Sequence, residues 1–154
     1  MHHRKGINKM AKGYSDYSKQ EMLDLTQGVM TYLDGWKLSA EQVLVILGIN
    51  DASKKRHLQS FRMGDKAFPE TEHLMTRLDH IIGIADALRT TFPFSDKMRL
   101  MWLRKPHRRF KRNTPLAVIM ADDSPNGLLK VRMEVDCAYG YAISEAMREQ
   151  QAAG

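Results

Sequence analysis

The chain is poor in the residues and patterns that would tie it to several large classes of protein. It has one cysteine, Cys137, in 154 residues, so no intramolecular disulfide is available. A chain of this length needs none, because it can bury about 70% of its unfolded surface. No apolar run approaches the roughly 20 residues of a spanning helix. The basic start, MHHRKGINKMAKGYSDYSKQ, has no apolar stretch after it and is not expected to be a secretory signal. Together these absences point to the reducing cytoplasm. There is no Walker loop, no GxGxxG, no GxSxG and no cluster with metal-ligand spacing, which argues against an enzyme and against a cofactor or metal. His73 and His80 lie seven residues apart, farther than helical metal ligands usually sit, and no third ligand accompanies them. Cys137, mid-helix among apolar residues, reads as an inert buried thiol. Strand alternation of convincing length is missing, as is any internal repeat.

Present instead are 43% hydrophobic and 27% charged residues, the balance of a globular protein. The formal charge is +6, with 24 Lys and Arg against 18 Asp and Glu. Residues 97–112 hold eight of the cations and no acid, leaving 16 cations against 18 acids elsewhere. The basic excess is therefore local, a patch suited to nucleic acid, an acidic partner protein or a membrane surface, or else a solvated loop.

Hydrophobic spacing is helical almost throughout. Met22, Leu25, Val29, Leu33 and Trp36 mark a first helix from Lys19, with Ser18 and Glu21 at capping-box spacing. Ser39 opens a second, with Val43, Ile46 and Leu47 inward and Gly48 as its stop. Ser53 can cap a third, running to Met63 and ended by Gly64. Glu70 to Phe92 is a long helix stopped by Pro93, and Asp96 to Leu103 a shorter one. Thr114-Pro115 and Ser124-Pro125 repeat the pattern of a cap followed by a first-turn proline. The last helix has Leu128, Val131, Val135, Ala138, Ala142 and Ala146 in one stripe, with fraying expected from Gln150 onward. The fold class is all-α, about seven helices. The eleven methionines suggest an adaptable core or partner surface.

Two segments bear on function. Leu38 to Gly64 reads as a helix-turn-helix, in which a second helix enters the major groove. The candidate recognition helix has no acid and carries Lys54, Lys55, Arg56, Gln59, Ser60 and Arg62 as candidate DNA contacts. Leu58 and Phe61 anchor it, leaving Lys54, Lys55, Gln59 and Arg62 to project. Its connection from Ile49 is longer than the usual tight turn, and an ordinary helical hairpin with a basic face has the same pattern. The second segment, Met101 to Asp123, reads as a helix–loop–helix corner. Trp102 and Phe110 are expected to pack on each other and on Leu116, displaying a basic patch of Arg104, Lys105, Arg108, Arg109, Lys111 and Arg112.

The run WLRKPHRRFKRNTPLAVIMADDSPNGLLKVRMEVD resembles the signature of the Xre/MbcA/ParS antitoxin family. The ordered positions are Trp102-Leu103, Pro106-His107, Phe110, Thr114-Pro115-Leu116, Gly127-Leu128 and Val131-Arg132. Upstream, Leu47-Gly48-Ile49, Phe61-Arg62-Met63-Gly64 and Ala87 to Pro93 resemble its Xre-like half, so the likeness spans about residues 22–136. His107 stands where the family usually has asparagine and Lys111 where it usually has glycine; both raise the basicity of the loop.

Residues 1–18, polar, basic and without an apolar period, read as a mobile tail, and the resemblance implies an Xre-like helix-turn-helix domain (19–93) and a helical toxin-binding domain (94–154). It implies a type II antitoxin that occludes a RES-domain, NAD-depleting toxin, represses its own promoter and forms a homodimer and a toxin–antitoxin hetero-oligomer. Gly127 to Gly154 would face the toxin. The helix faces left over after core packing offer Lys130, Glu134, Tyr141 and Glu145 as contacts, although Tyr139 and Tyr141 would also fit beside a core stripe. Two rivals stand beside this reading: a stand-alone prophage-type DNA-binding regulator, and a protein inhibitor whose helix-turn-helix is vestigial. No membrane partner is expected.

Overall fold

The computed structural model describes residues 16–49, 51–121 and 124–153. Among them the fold is all-helical, with one isolated β-bridge, His107 to Asn113. The α-helices are α1 (Lys19–Gly35), α2 (Ala40–Leu47), α3 (His57–Met63), α4 (Glu72–Thr91), α5 (Asp96–Arg104), α6 (Pro115–Met120) and α7 (Asn126–Ala153). Short 3-10 turns, Ala52–Arg56 and Arg108–Phe110, precede α3 and α6.

Local chemistry sets most of the boundaries. Ser18 and Glu21 close a reciprocal capping box on α1, and Ser39 and Gln42 close another on α2. Gly48 ends α2 at φ +73°, where a Cβ would also meet the Arg77 guanidinium at 2.5 Å. Thr114 caps α6, with Pro115 in its first turn.

Besides one-residue differences at the ends of α4 (Thr91, not Phe92) and α5 (Arg104, not Leu103), three boundaries differ from those expected. Asp51, not Ser53, is the cap of the third helical segment: its carboxylate accepts from the Ser53 N–H and hydroxyl, and the chain takes a 3-10 turn before α3 begins at His57. The long helix starts at Glu72 because Thr71 caps it through the Leu74 N–H. α7 does not fray at Gln150 but continues to Ala153.

α4 forms the centre. It packs most extensively on α7, and also on α1 and α2. Leu78, Ile81, Ile84 and Leu88 of α4 meet Val29, Leu33, Ile46 and Leu47 on one side and Leu128, Val131 and Val135 on the other in one continuous core that crosses position 93. Burying each such aliphatic side chain contributes about 1.5–3 kcal/mol.

Polar groups inside the core have named partners. Thr26 is fully buried, donates to Met22 O at 2.7 Å and accepts the Phe68 N–H at 2.9 Å, holding the loop before α4. Arg77, 2% exposed, donates to Ile46 O and lies beside His73. Arg132 reaches back from α7 to Asp79 at 3.1 Å, tying the two longest helices together.

Candidate functional site: basic surfaces and the face of α7

The front basic surface is carried by the 3-10 turn and α3. Leu58 and Phe61 are buried as anchors, so α3 presents its opposite face. Lys54, Arg56 and Gln59 are exposed there, and Ser60 is half-buried. Lys55 and Arg62 do not project freely as expected. The Lys55 ammonium is paired with Glu41 of α2, and this hydrogen bond from Lys55 is the main reason the Glu41 carboxyl is held below its ordinary pKa. Arg62 makes a two-nitrogen fork onto Asp34 of α1 at 2.9–3.1 Å. The helical period of the sequence places each cation on a face, but does not show the acids that α1 and α2 bring opposite. His57 lies 3.2 Å from Lys66, and partial burial followed by the Lys66, Lys54 and Arg56 charges pulls its pKa down.

The rear surface is the loop between α5 and α6. It is a small closed hairpin: the His107 N–H donates to Asn113 O at 3.1 Å and the Arg112 N–H donates back to His107 O at 2.9 Å. The ring stack expected between Trp102 and Phe110 runs instead through His107. Its ring is 4.8 Å from Trp102 and 6.2 Å from Phe110, and its Nε2 is 2.9 Å from Trp102 O. The imidazole has both an aromatic face and a polar edge, so it can fill this corner and meet a carbonyl at once. Lys111 and Arg112 take left-handed φ values of +55° and +69°, the conformation that glycine adopts most cheaply.

The loop cations divide by role. Arg104, although exposed, folds over the end of α1 and donates to Trp36 O and Lys37 O at 2.9 and 2.7 Å. Arg109 faces Glu134 of α7 at 3.6 Å. Lys105, Arg108, Lys111 and Arg112 are exposed.

Between this loop, α6 and α7 lies an open groove of about 770 Å³, lined by Phe110, Val118, Met133 and Cys137 with Arg109, Lys111, Lys130 and Glu134 among the polar residues. Its depth depends on Gly127, where a Cβ would lie 2.3 Å from Val118 O; the missing side chain lets α6 and α7 meet backbone to backbone.

Cys137 is exposed in this groove, not buried. It lies two residues beyond the buried Val135, which turns it to the opposite side of the helix. The expected inward stripe of α7 holds for Leu128, Val131 and Val135, with Ala138 partly buried. The side chain of Ala142 lies outside the described residues, and Ala146 and every other residue from Ile143 to Ala153 are exposed. A second apolar stripe runs along the outer side: Leu129, Met133, Ile143 and Met147 are 41%, 61%, 44% and 57% exposed. Leu129 and Met133, and Ile143 and Met147, are four residues apart, and the two exposed methionines fit the partner-surface alternative that the methionine content offered beside an adaptable core. Of the expected contacts on α7, Lys130 and Glu134 line the groove and Glu145 is exposed on the distal arm. The side chain of Tyr141 lies outside the described residues.

Among the described residues no three His, Cys, Asp or Glu side chains converge as metal ligands, and no described helix is long and apolar enough to cross a membrane. No family model, curated protein or solved structure matches the chain.

Proposed function

We propose that the chain is a type II antitoxin of the Xre/MbcA/ParS kind, which neutralises a RES-like, NAD-depleting toxin by occluding it with α7 and represses its own promoter through the basic front surface. The observation that carries this reading is the outer side of α7. A helix that continues to Ala153 with Ile143 and Met147 exposed, beside a groove, presents apolar area that favours a partner. The repressor role draws on Lys54, Arg56 and Gln59, with the exposed loop cations available for phosphate contacts.

A second reading has its own support. Lys55 and Arg62 are already engaged with Glu41 and Asp34, which fits an inhibitor whose front half no longer reads DNA. Co-expression with the product of the adjacent reading frame tests the first reading. Growth rescue and co-purification are expected from the full chain and should be lost when residues 139–154 are removed. Failure of the full chain to rescue growth refutes neutralisation. Changing Lys54, Lys55 and Arg56 together to alanine should abolish promoter binding while rescue persists. Unchanged promoter binding excludes the front surface as the DNA contact, and promoter binding without rescue indicates a stand-alone regulator.

A further inference from the structure

We propose that the groove between the basic loop and α7 seats an acidic, amphipathic helical segment of a partner protein, its apolar side chains entering the groove and its carboxylates meeting the rim. This rests on the docking reading of α7 only for the identity of the protein that supplies the segment.

The groove floor is apolar and comes from three elements: Phe110 on the loop, Val118 on α6 and Met133 on α7. Met133 is 61% exposed, and its flexible thioether adapts to the shape of an incoming side chain. The volume, about 770 Å³, falls in the range of about 300–1,000 Å³ typical of binding clefts. The rim is cationic on both sides, with exposed Lys111 on the loop and exposed Lys130 on α7. The one acid of the lining, Glu134, is set against Arg109, so the lining carries three cations against one acid.

This charge selects a partner of opposite sign and steers its approach. The floor selects for apolar side chains at helical spacing, the helix-in-groove mode of recognition. A phosphate backbone would use the rim and leave the floor wet, whereas an acidic helix with an apolar stripe uses both. The loop is built to hold its shape, since its two cross-hairpin hydrogen bonds and the Trp102–His107–Phe110 stack fix it before a partner arrives. Such preorganisation lowers the cost of binding.

The test uses the full chain and three probes, titrated calorimetrically at low salt. Two are synthetic helical peptides sharing one leucine stripe, one with glutamate and the other with lysine at the remaining positions; the third is a DNA duplex. The acidic peptide should bind about tenfold or more tightly than the basic one. Lys111→Glu with Lys130→Glu should reverse the preference. Met133→Asp should weaken the acidic peptide with an unchanged thermal melt, because its side chain contributes to the floor and not to the core. Equal binding of the two peptides, absence of binding by the acidic one, or displacement of the acidic peptide by the duplex from the groove would each overturn the proposal. Growth rescue in co-expression is a separate readout: a chain that rescues growth but shows no peptide preference keeps the antitoxin reading and loses this one.

Discussion

Replacing Gly127 with alanine should destabilise the protein, even though alanine is the better helix former. The added Cβ would lie 2.3 Å from Val118 O, 3.0 Å from Ile119 Cα and 3.1 Å from Val118 C. All three are backbone atoms, so no rotamer change relieves the contact and α6 must withdraw by about 1 Å in a closely packed site. Overpacking of this kind costs about 1–3 kcal/mol. Alanine returns at most about 1 kcal/mol of helix propensity, and less in a first turn. The net loss should be about 1–2 kcal/mol, lowering Tm by about 2–8 °C for a chain of this size. Gly28 is the matched control. It lies inside α1, and a Cβ there meets nothing within 4 Å, so Gly28→Ala should stabilise by about 0.5–1 kcal/mol. Urea unfolding followed by far-UV circular dichroism measures both, with an unchanged slope showing that the unfolded state is the same. A Gly127→Ala protein as stable as the parent, or the same sign at both positions, would refute the close approach of α6 and α7 and with it the shape of the groove.

Other consequences are equally direct. Thr26→Val keeps the volume but strips the Phe68 N–H of its acceptor, and should cost about 1–3 kcal/mol in denaturant melts, while Thr26→Ser should recover most of it. Tyr17 is buried and near Glu21 and Asp79, and its pKa is raised to about 12. The unfolded phenol ionises first, at about pH 10. Stability should therefore be level in this respect below pH 10 and fall by at most about 2–3 kcal/mol between pH 10 and 12, a decline that Tyr17→Phe should remove. Lys111 carries a left-handed φ of +55°, so Lys111→Gly should raise stability by about 0.5–1 kcal/mol in thermal or urea melts.

The parts of the fold legible in the sequence are those decided within a turn or two of the chain. The Ser18/Glu21 box, the Ser39 start, the Gly48 stop and the Thr114-Pro115 start depend on residues at most three apart, so spacing alone identifies them. What escaped depends on distant partners. Nothing local announces that Asp34 will face Arg62 or that Arg104 will fold over the end of α1. His107 enters the aromatic stack only because the loop closes on Asn113. The side of α7 presented to solvent was written in the period of Leu129, Met133, Ile143 and Met147. It became distinguishable from core only once α4 was seen to occupy the other side.

The docking role of α7 is tested most directly at Cys137, the chain's sole cysteine, which is exposed in the groove. Its alkylation rate can be compared between the isolated chain and the complex co-purified with the adjacent gene's product. Rapid modification when alone and strong protection in the complex are the predicted result. Equal rates in the two samples would contradict it, because no partner would then be seated against α7.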